Sequence, residues 1–282
     1  MTTLPDLSIE NLFSVKGKKV VVTGGTKGIG LMISAGFVQN GADVYMFSRK
    51  PDQEVAKLLT SKGPGKAFSF ACDVMDEKSI LQVRDEIAKL EPNGIHCLVN
   101  NAGATWGDPF DETPKSSFDK VLGVNVTGLF MVSQAFGKLL EKPATAERPS
   151  SIINIASVDG IRVPAIEEYA YSASKAGVIH LTRVMSGYLA PRNITVNTIS
   201  PGLFPSKMGS QVIAVMGDGL GKMIPLGRAG EPKDIASACI FYAGYGGAFT
   251  TGSNVIIDGG TTVSSANPTV FDNRKEIDRS KL

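Results

Sequence analysis

The stretch Lys19-Val20-Val21-Val22-Thr23-Gly24-Gly25-Thr26-Lys27-Gly28-Ile29-Gly30-Leu31 decides how the chain is read. A β-branched apolar run passes through glycines into a helical pattern expected to begin near Leu31. Glycines at a strand-to-helix turn let the backbone come close to a pyrophosphate. The first helical turn adds free N–H groups and the positive end of a dipole. Gly24, Thr26, Lys27, Gly28, Ile29 and Gly30 are therefore expected to face a dinucleotide. Structural turns also use glycine, so the surrounding chain has to support the reading.

Outward from this turn, short apolar runs at 19–23, 43–47, 67–71, 96–99, 151–155, 195–199 and 254–257 alternate with helix-length segments. Most are nearly continuous in Val, Ile and Phe, as expected of parallel strands covered on both faces. The fold class is α/β: a single-domain, Rossmann-type, doubly wound parallel sheet of about seven strands with helices on both faces. Residues 1–16 are expected as an N-terminal arm, 17–260 as the dinucleotide-binding catalytic domain and 261–282 as a C-terminal tail. The segment 141–150 reads as an exposed loop. Residues 204–224, rich in Gly and Met, break the pattern after the sixth strand and read as a lid.

Composition narrows the function. The chain has 282 residues, 43% hydrophobic and 20% charged, which fits a globular domain and not a disordered one. Its net charge of +2 comes from 29 basic and 27 acidic residues without a block of one sign. No nucleic acid and no membrane partner is expected; a small molecule is. Cys72, Cys97 and Cys239 are widely spaced in apolar runs, against a disulfide framework. With His96 and His180 as its histidines, the chain offers no familiar zinc spacing, and no metal is expected. The N-terminus lacks the pattern of a secretory signal, and no apolar stretch approaches about 18 residues. The chain ends in Ser280-Lys281-Leu282, the tripeptide of peroxisomal import, so the expected location is peroxisomal in a eukaryote and cytoplasmic otherwise.

The turn has the form Thr-Gly-x-x-x-Gly-x-Gly. Asn100-Asn101-Ala102-Gly103 follows the fourth strand, Asn125 lies in the next helix, and Ser157 ends the fifth strand. Tyr171-Ser172-Ala173-Ser174-Lys175 opens a helix, and Pro201-Gly202 follows the sixth strand. In this order the chain resembles the short-chain dehydrogenase/reductase family over about residues 17–260. The resemblance implies a nicotinamide cofactor contacted by Asn101, Ala102, Gly103, Pro201 and Gly202, with Asp73 and Val74 at the adenine. It also implies a homotetramer or homodimer assembled through the helices after Asn101 and before Ser200. The stretches 101–107 and 201–208 look similar to the 3-ketoacyl reductases of the family.

The cofactor follows from charge. An acidic residue at the end of the second strand would hold the ribose hydroxyls of NAD and repel a 2′-phosphate. Ser48 and Arg49 stand there instead, and Lys27 approaches from the glycine turn, so NADP(H) is expected. The plainer alternative is that both cations are solvated surface charges.

Hydride transfer to a ketone builds negative charge on oxygen, and a site must supply a proton and hydrogen bonds there. Tyr171 is the expected acid. Lys175, one helical turn on, is expected to lower the phenol's pKa. Tyr169 is a decoy, since Ala173 stands four residues after it. The resemblance gives Ser157 as a second donor to the substrate oxygen, Asn125 as the holder of a water leading to Lys175, and Lys175 as a contact of the nicotinamide ribose. Trp106, Val158, Ile161, Tyr169, Leu203 and Phe204 are the candidate pocket lining. The expected function is NADPH-dependent reduction of an apolar ketone or 3-oxoacyl thioester. A trans-2-enoyl-CoA reductase and a catalytically inactive NADP-sensing protein are the alternatives.

Overall fold

The computed structural model describes residues 4–164, 166–206 and 224–264. Most of the expected lid, and the C-terminal tripeptide, lie outside the described residues. The strands are β1 Lys19–Thr23, β2 Asp43–Ser48, β3 Ala67–Ala71, β4 Cys97–Asn100, β5 Ser150–Ile155, β6 Ile194–Pro201 and β7 Asn254–Ile257. They form one sheet in the order β3-β2-β1-β4-β5-β6-β7, and every pairing is parallel. The order reverses between β1 and β4, and in such sheets ligands bind outside the carboxyl ends of the strands at that point.

Eight α-helices accompany the sheet among the described residues: α1 Ile9–Phe13, α2 Gly28–Gln39, α3 Gln53–Thr60, α4 Glu77–Leu90, α5 Lys115–Leu122, α6 Leu129–Glu141, α7 Tyr169–Leu189 and α8 Pro232–Ala243. Alternation along the strands feeds two cores. Val20, Val22, Val44 and Met46 pack with Ile33 and Phe37 of α2 and Ile235 and Cys239 of α8. Val21, Tyr45 and Phe47 turn the other way and pack with Ile80 and Val83 of α4 and Val132 and Phe136 of α6. Both faces being apolar is why the strand sequences look continuous instead of alternating.

The three cysteines are buried as thiols, and burial pushes Cys72 and Cys97 up to about 11. A buried polar chain crosses the sheet as well. Asn100 Nδ2 donates to Ser133 Oγ and to Asn154 Oδ1, both at 2.9 Å, and Asn154 Nδ2 donates to Thr182 Oγ1 at 2.8 Å. It ties α6, β4, β5 and α7 into one unit beneath the carboxyl ends of the strands. Near the N-terminus, α1 lies beside α8, where Phe13 and Phe241 meet with ring centroids 6.3 Å apart. No helix among the described residues is long and apolar enough to cross a membrane.

Candidate active site

The glycine turn leaves β1 and is clamped by the loop after β4. Asn101 Nδ2 donates to the carbonyls of Thr23 at 3.0 Å and Gly24 at 3.2 Å, while the amides of Asn101 and Ala102 both donate to Thr23 Oγ1 at 2.9 Å. Gly24 has φ +66°, and a Cβ on Gly30 would lie 2.2 Å from the Gly24 carbonyl oxygen. Here backbone lies against backbone, leaving no room for a side chain. The following helix starts at Gly28, inside the motif, and not near Leu31 as the apolar pattern indicated. The turn's last glycines therefore supply the free amides of the first helical turn, which suits a pyrophosphate.

Lys27 is the exposed N-cap of that helix, and Arg49 is exposed just beyond β2. Neither takes part in a salt bridge among the described residues. Ser48 Oγ donates to the Lys50 carbonyl at 2.6 Å, which fixes the turn that carries Arg49. Asp73 accepts from the amide of Met75 at 3.0 Å and so shapes the turn after β3. Gly202 donates its amide to the Ile257 carbonyl at 2.9 Å, and a Cβ there would lie 2.8 Å from Asp258 Cβ, so Pro201-Gly202 sits hard against the end of β7. An anion-ready helix end, two cations without an ion-pair partner among the described residues and a glycine-lined cradle together fit a dinucleotide.

Asn125 lies in a π-helical turn, Gly123–Gly128, between α5 and α6, where the sequence pattern gave plain helix. Such wide turns often mark functional positions. Its side chain is 1% exposed. Oδ1 accepts from the Ala104 amide at 2.8 Å, and Nδ2 donates to the Ala104 carbonyl and to Ser174 Oγ, each at 2.9 Å. Asn125 thus pins the loop after β4 to α7. A Cβ on Gly103 would lie 3.5 Å from Asn125 Oδ1 and 3.7 Å from Lys175 Nζ, which measures how closely these three residues converge.

Strand β5 stops at Ile155, two residues short of Ser157. Ser157 instead caps a short 3-10 turn, Val158–Gly160, and is 6% exposed. Lys175 is 5% exposed, and Nζ donates to the Ile155 carbonyl at 2.8 Å while lying 5.6 Å from the centroid of the Tyr171 ring. Burial lowers the ammonium to about 8. Tyr171 was expected to titrate low but is pushed up to about 12, chiefly by burial. The Ser157 hydroxyl pulls it down, and the charges of Asp159 and Glu168 push it up. The ammonium is committed to the Ile155 carbonyl and both carboxylates act in the same direction as burial, so desolvation wins.

The expected lining is only partly assembled. Trp106, partly buried, donates to the Asp108 carboxylate and lies 5.1 Å beneath the Lys120 ammonium. Ile161 is 46% and Tyr169 38% exposed, and Phe110 meets Tyr169 edge-on at 5.7 Å, so these rings join the loops after β4 and β5. Val158 and Phe204 are buried instead, at 3% each. Phe204 and Leu203 border a separate cavity of about 450 Å³ between α8 and β7. Three contributors were missed in the sequence: Thr23, whose hydroxyl anchors the loop after β4; Ser174, which links Asn125 to the Tyr171 carbonyl; and Asp159. Asp159 could have been noticed as a carboxylate two residues from Ser157.

Residues 24–262 match the family model described as enoyl-(acyl carrier protein) reductase. The rhamnolipids biosynthesis 3-oxoacyl-[acyl-carrier-protein] reductase of Pseudomonas aeruginosa is 37% identical over 252 residues, covering 88% of this chain and 97% of that one. The D-threitol dehydrogenase of Mycolicibacterium smegmatis is 34% identical over 93% of this chain and 100% of its own length. Among solved structures, the Pseudomonas aeruginosa RhlG/NADP active-site complex superposes with a TM-score of 0.83 at 36% identity, covering 89% of this chain and 99% of that one.

Proposed function

The chain belongs to the short-chain dehydrogenase/reductase family, and from that premise we propose that it reduces a ketone to a secondary alcohol with NADPH as hydride donor. The observation that carries this reading is the convergence of Ser157, Tyr171 and Lys175 beside Gly103 at the carboxyl ends of β4 and β5. NADPH supplies the hydride. The amides of the glycine turn hold its pyrophosphate, and Lys27 and Arg49 hold the 2′-phosphate. Tyr171 delivers its phenolic proton to the substrate oxygen, which Ser157 orients by a second hydrogen bond. Lys175 replaces the proton, with Asn125 keeping the loop over it in place.

The rim supports a substrate with an apolar portion, because Ile161 and Tyr169 expose apolar surface beside the site. A 3-oxoacyl thioester is one such ketone, and the Pseudomonas relative is named for that substrate class. The description of the matching family model favours an enoyl thioester as a second reading. Assaying NADPH oxidation with a 3-oxoacyl-CoA and the corresponding trans-2-enoyl-CoA separates the two, and turnover of the enoyl compound alone would remove the ketone. Tyr171→Phe is expected to abolish ketone reduction and leave NADPH binding nearly unchanged; an unaltered rate would contradict the role given to the phenol.

A homodimer or homotetramer is part of the same proposal. Phe130 of α6 and Val184 and Tyr188 of α7 are exposed at 40%, 44% and 80%, an apolar face that a second subunit would cover. Light scattering after size exclusion gives the mass directly.

A further inference from the structure

One side chain at the site has no task in ketone reduction as described. Asp159 lies in the 3-10 turn that Ser157 caps. Its Oδ2 receives the Ser157 hydroxyl at 3.3 Å, its amide donates to Ser157 Oγ at 3.1 Å, and its Oδ1 takes Arg162 Nε at 3.2 Å. The carboxylate is partly buried, with 21% of the side chain exposed. We propose that Asp159 is a specificity-determining residue that selects ketones bearing a hydroxyl on the carbon next to the carbonyl. The inference rests on the ketone-reductase reading and sharpens it.

The argument is one of donors and acceptors. A serine hydroxyl carries one proton. For Ser157 to hydrogen-bond the substrate oxygen, it must turn that proton away from Asp159. The arriving substrate also shields Asp159 from water, so Oδ2 is left as a charged acceptor without a donor, a costlier state than the loss of an ordinary hydrogen bond. A hydroxyl on the neighbouring carbon restores the donor. A methylene group cannot, and the second carbonyl of a 3-oxoacyl thioester would set an acceptor against the carboxylate.

Glu168 adds to the same side. It is partly buried, and its carboxyl is raised first by burial and then by the charge of Asp159, which places the two acidic groups within each other's field. The apolar rim at Ile161 and Tyr169 takes the rest of the molecule. The substrate class is therefore an α-hydroxy ketone with an apolar substituent. Hydride from NADPH goes to the carbonyl carbon and the Tyr171 proton to its oxygen, giving a vicinal diol and NADP+, while the existing hydroxyl is unchanged.

The test measures kcat/KM for NADPH-dependent reduction of 1-hydroxy-2-hexanone, 2-hexanone and 3-oxohexanoyl-CoA by the full chain and by Asp159→Ala and Asp159→Asn. The wild-type chain is expected to favour the hydroxy ketone over 2-hexanone by about 10- to 100-fold, the worth of a hydrogen bond to a charged group. That ratio should fall close to one in Asp159→Ala and lie between in Asp159→Asn, which keeps size and one acceptor oxygen. Equal wild-type rates on the two ketones, or a ratio that survives both substitutions, would overturn the inference. Turnover of 2-hexanone or the thioester without the hydroxy ketone overturns it as well, leaving ketone reduction standing. No turnover of any of the three overturns that broader reading and the inference with it.

Discussion

Lys175 and Ile155 are joined across the base of the site, Nζ donating to the strand carbonyl at 2.8 Å. This bond holds the ammonium in a buried position, where it loses its proton at about pH 8, while the Tyr171 phenol keeps its own to about 12. Proton delivery to a ketone needs the phenol protonated, a condition met at every pH below about 12. It also needs Lys175 charged, and that condition is lost as pH rises through about 8.

The kcat/KM for ketone reduction at saturating NADPH should therefore be level at low pH and fall about tenfold per pH unit above about 8. The reverse oxidation needs phenolate and should rise with pH over the same range. A reduction profile that stays flat to about pH 10 would take Lys175 out of the proton path.

Gly30→Ala tests the contact between the glycine turn and the loop after β4. The new methyl would meet the Gly24 carbonyl at 2.2 Å and Asn101 Nδ2 at 2.4 Å. Overpacking of this kind costs about 1–3 kcal/mol, and here the shift also displaces the amides proposed to hold the pyrophosphate. Denaturant unfolding and a fluorescence titration with NADPH should both register the loss. Unchanged NADPH binding in Gly30→Ala would show that the turn does not hold the cofactor.

Arg49→Ala tests cofactor choice. Removing one charge-assisted hydrogen bond to a phosphate should raise the KM for NADPH by about 10- to 100-fold and leave that for NADH almost unaltered. Lys27→Ala should act in the same direction. Equal effects on the two cofactors would contradict contact with the 2′-phosphate.

How much of this was legible in the sequence depends on what each residue answers to. Lys19–Thr23, Ala67–Ala71 and Asn254–Ile257 were bounded to the residue, because Gly or polar positions edge each short run; burial is nearly complete in the first, alternates in the second and is lacking in the third, where Val255 and Ile256 are 39% exposed. The start of α2 was misplaced by three residues, since glycine carries no periodic signal although its amides can open a helix. Asn125 was found by its motif but set in ordinary helix; a π-turn is defined by backbone bonding and leaves no mark in hydropathy. The Tyr171 shift was misjudged because spacing on a helix places two side chains on one face and says nothing of a carbonyl such as that of Ile155 competing for one of them. Phe204 was assigned to a lining by its hydrophobicity, which serves a core equally well.

The π-turn at Gly123–Gly128 also makes chain length part of the site. Asn125 reaches Ala104 and Ser174 at once because the rotation accumulated along α5 delivers it to that bearing. Each residue added or removed between Lys115 and Asn125 would turn it by about 100°. The exposed side chains of α5 are thus free to vary in kind, but the number of residues in that helix is not, and evolution of this surface is expected to proceed by replacement, with insertions and deletions confined to the segments on either side.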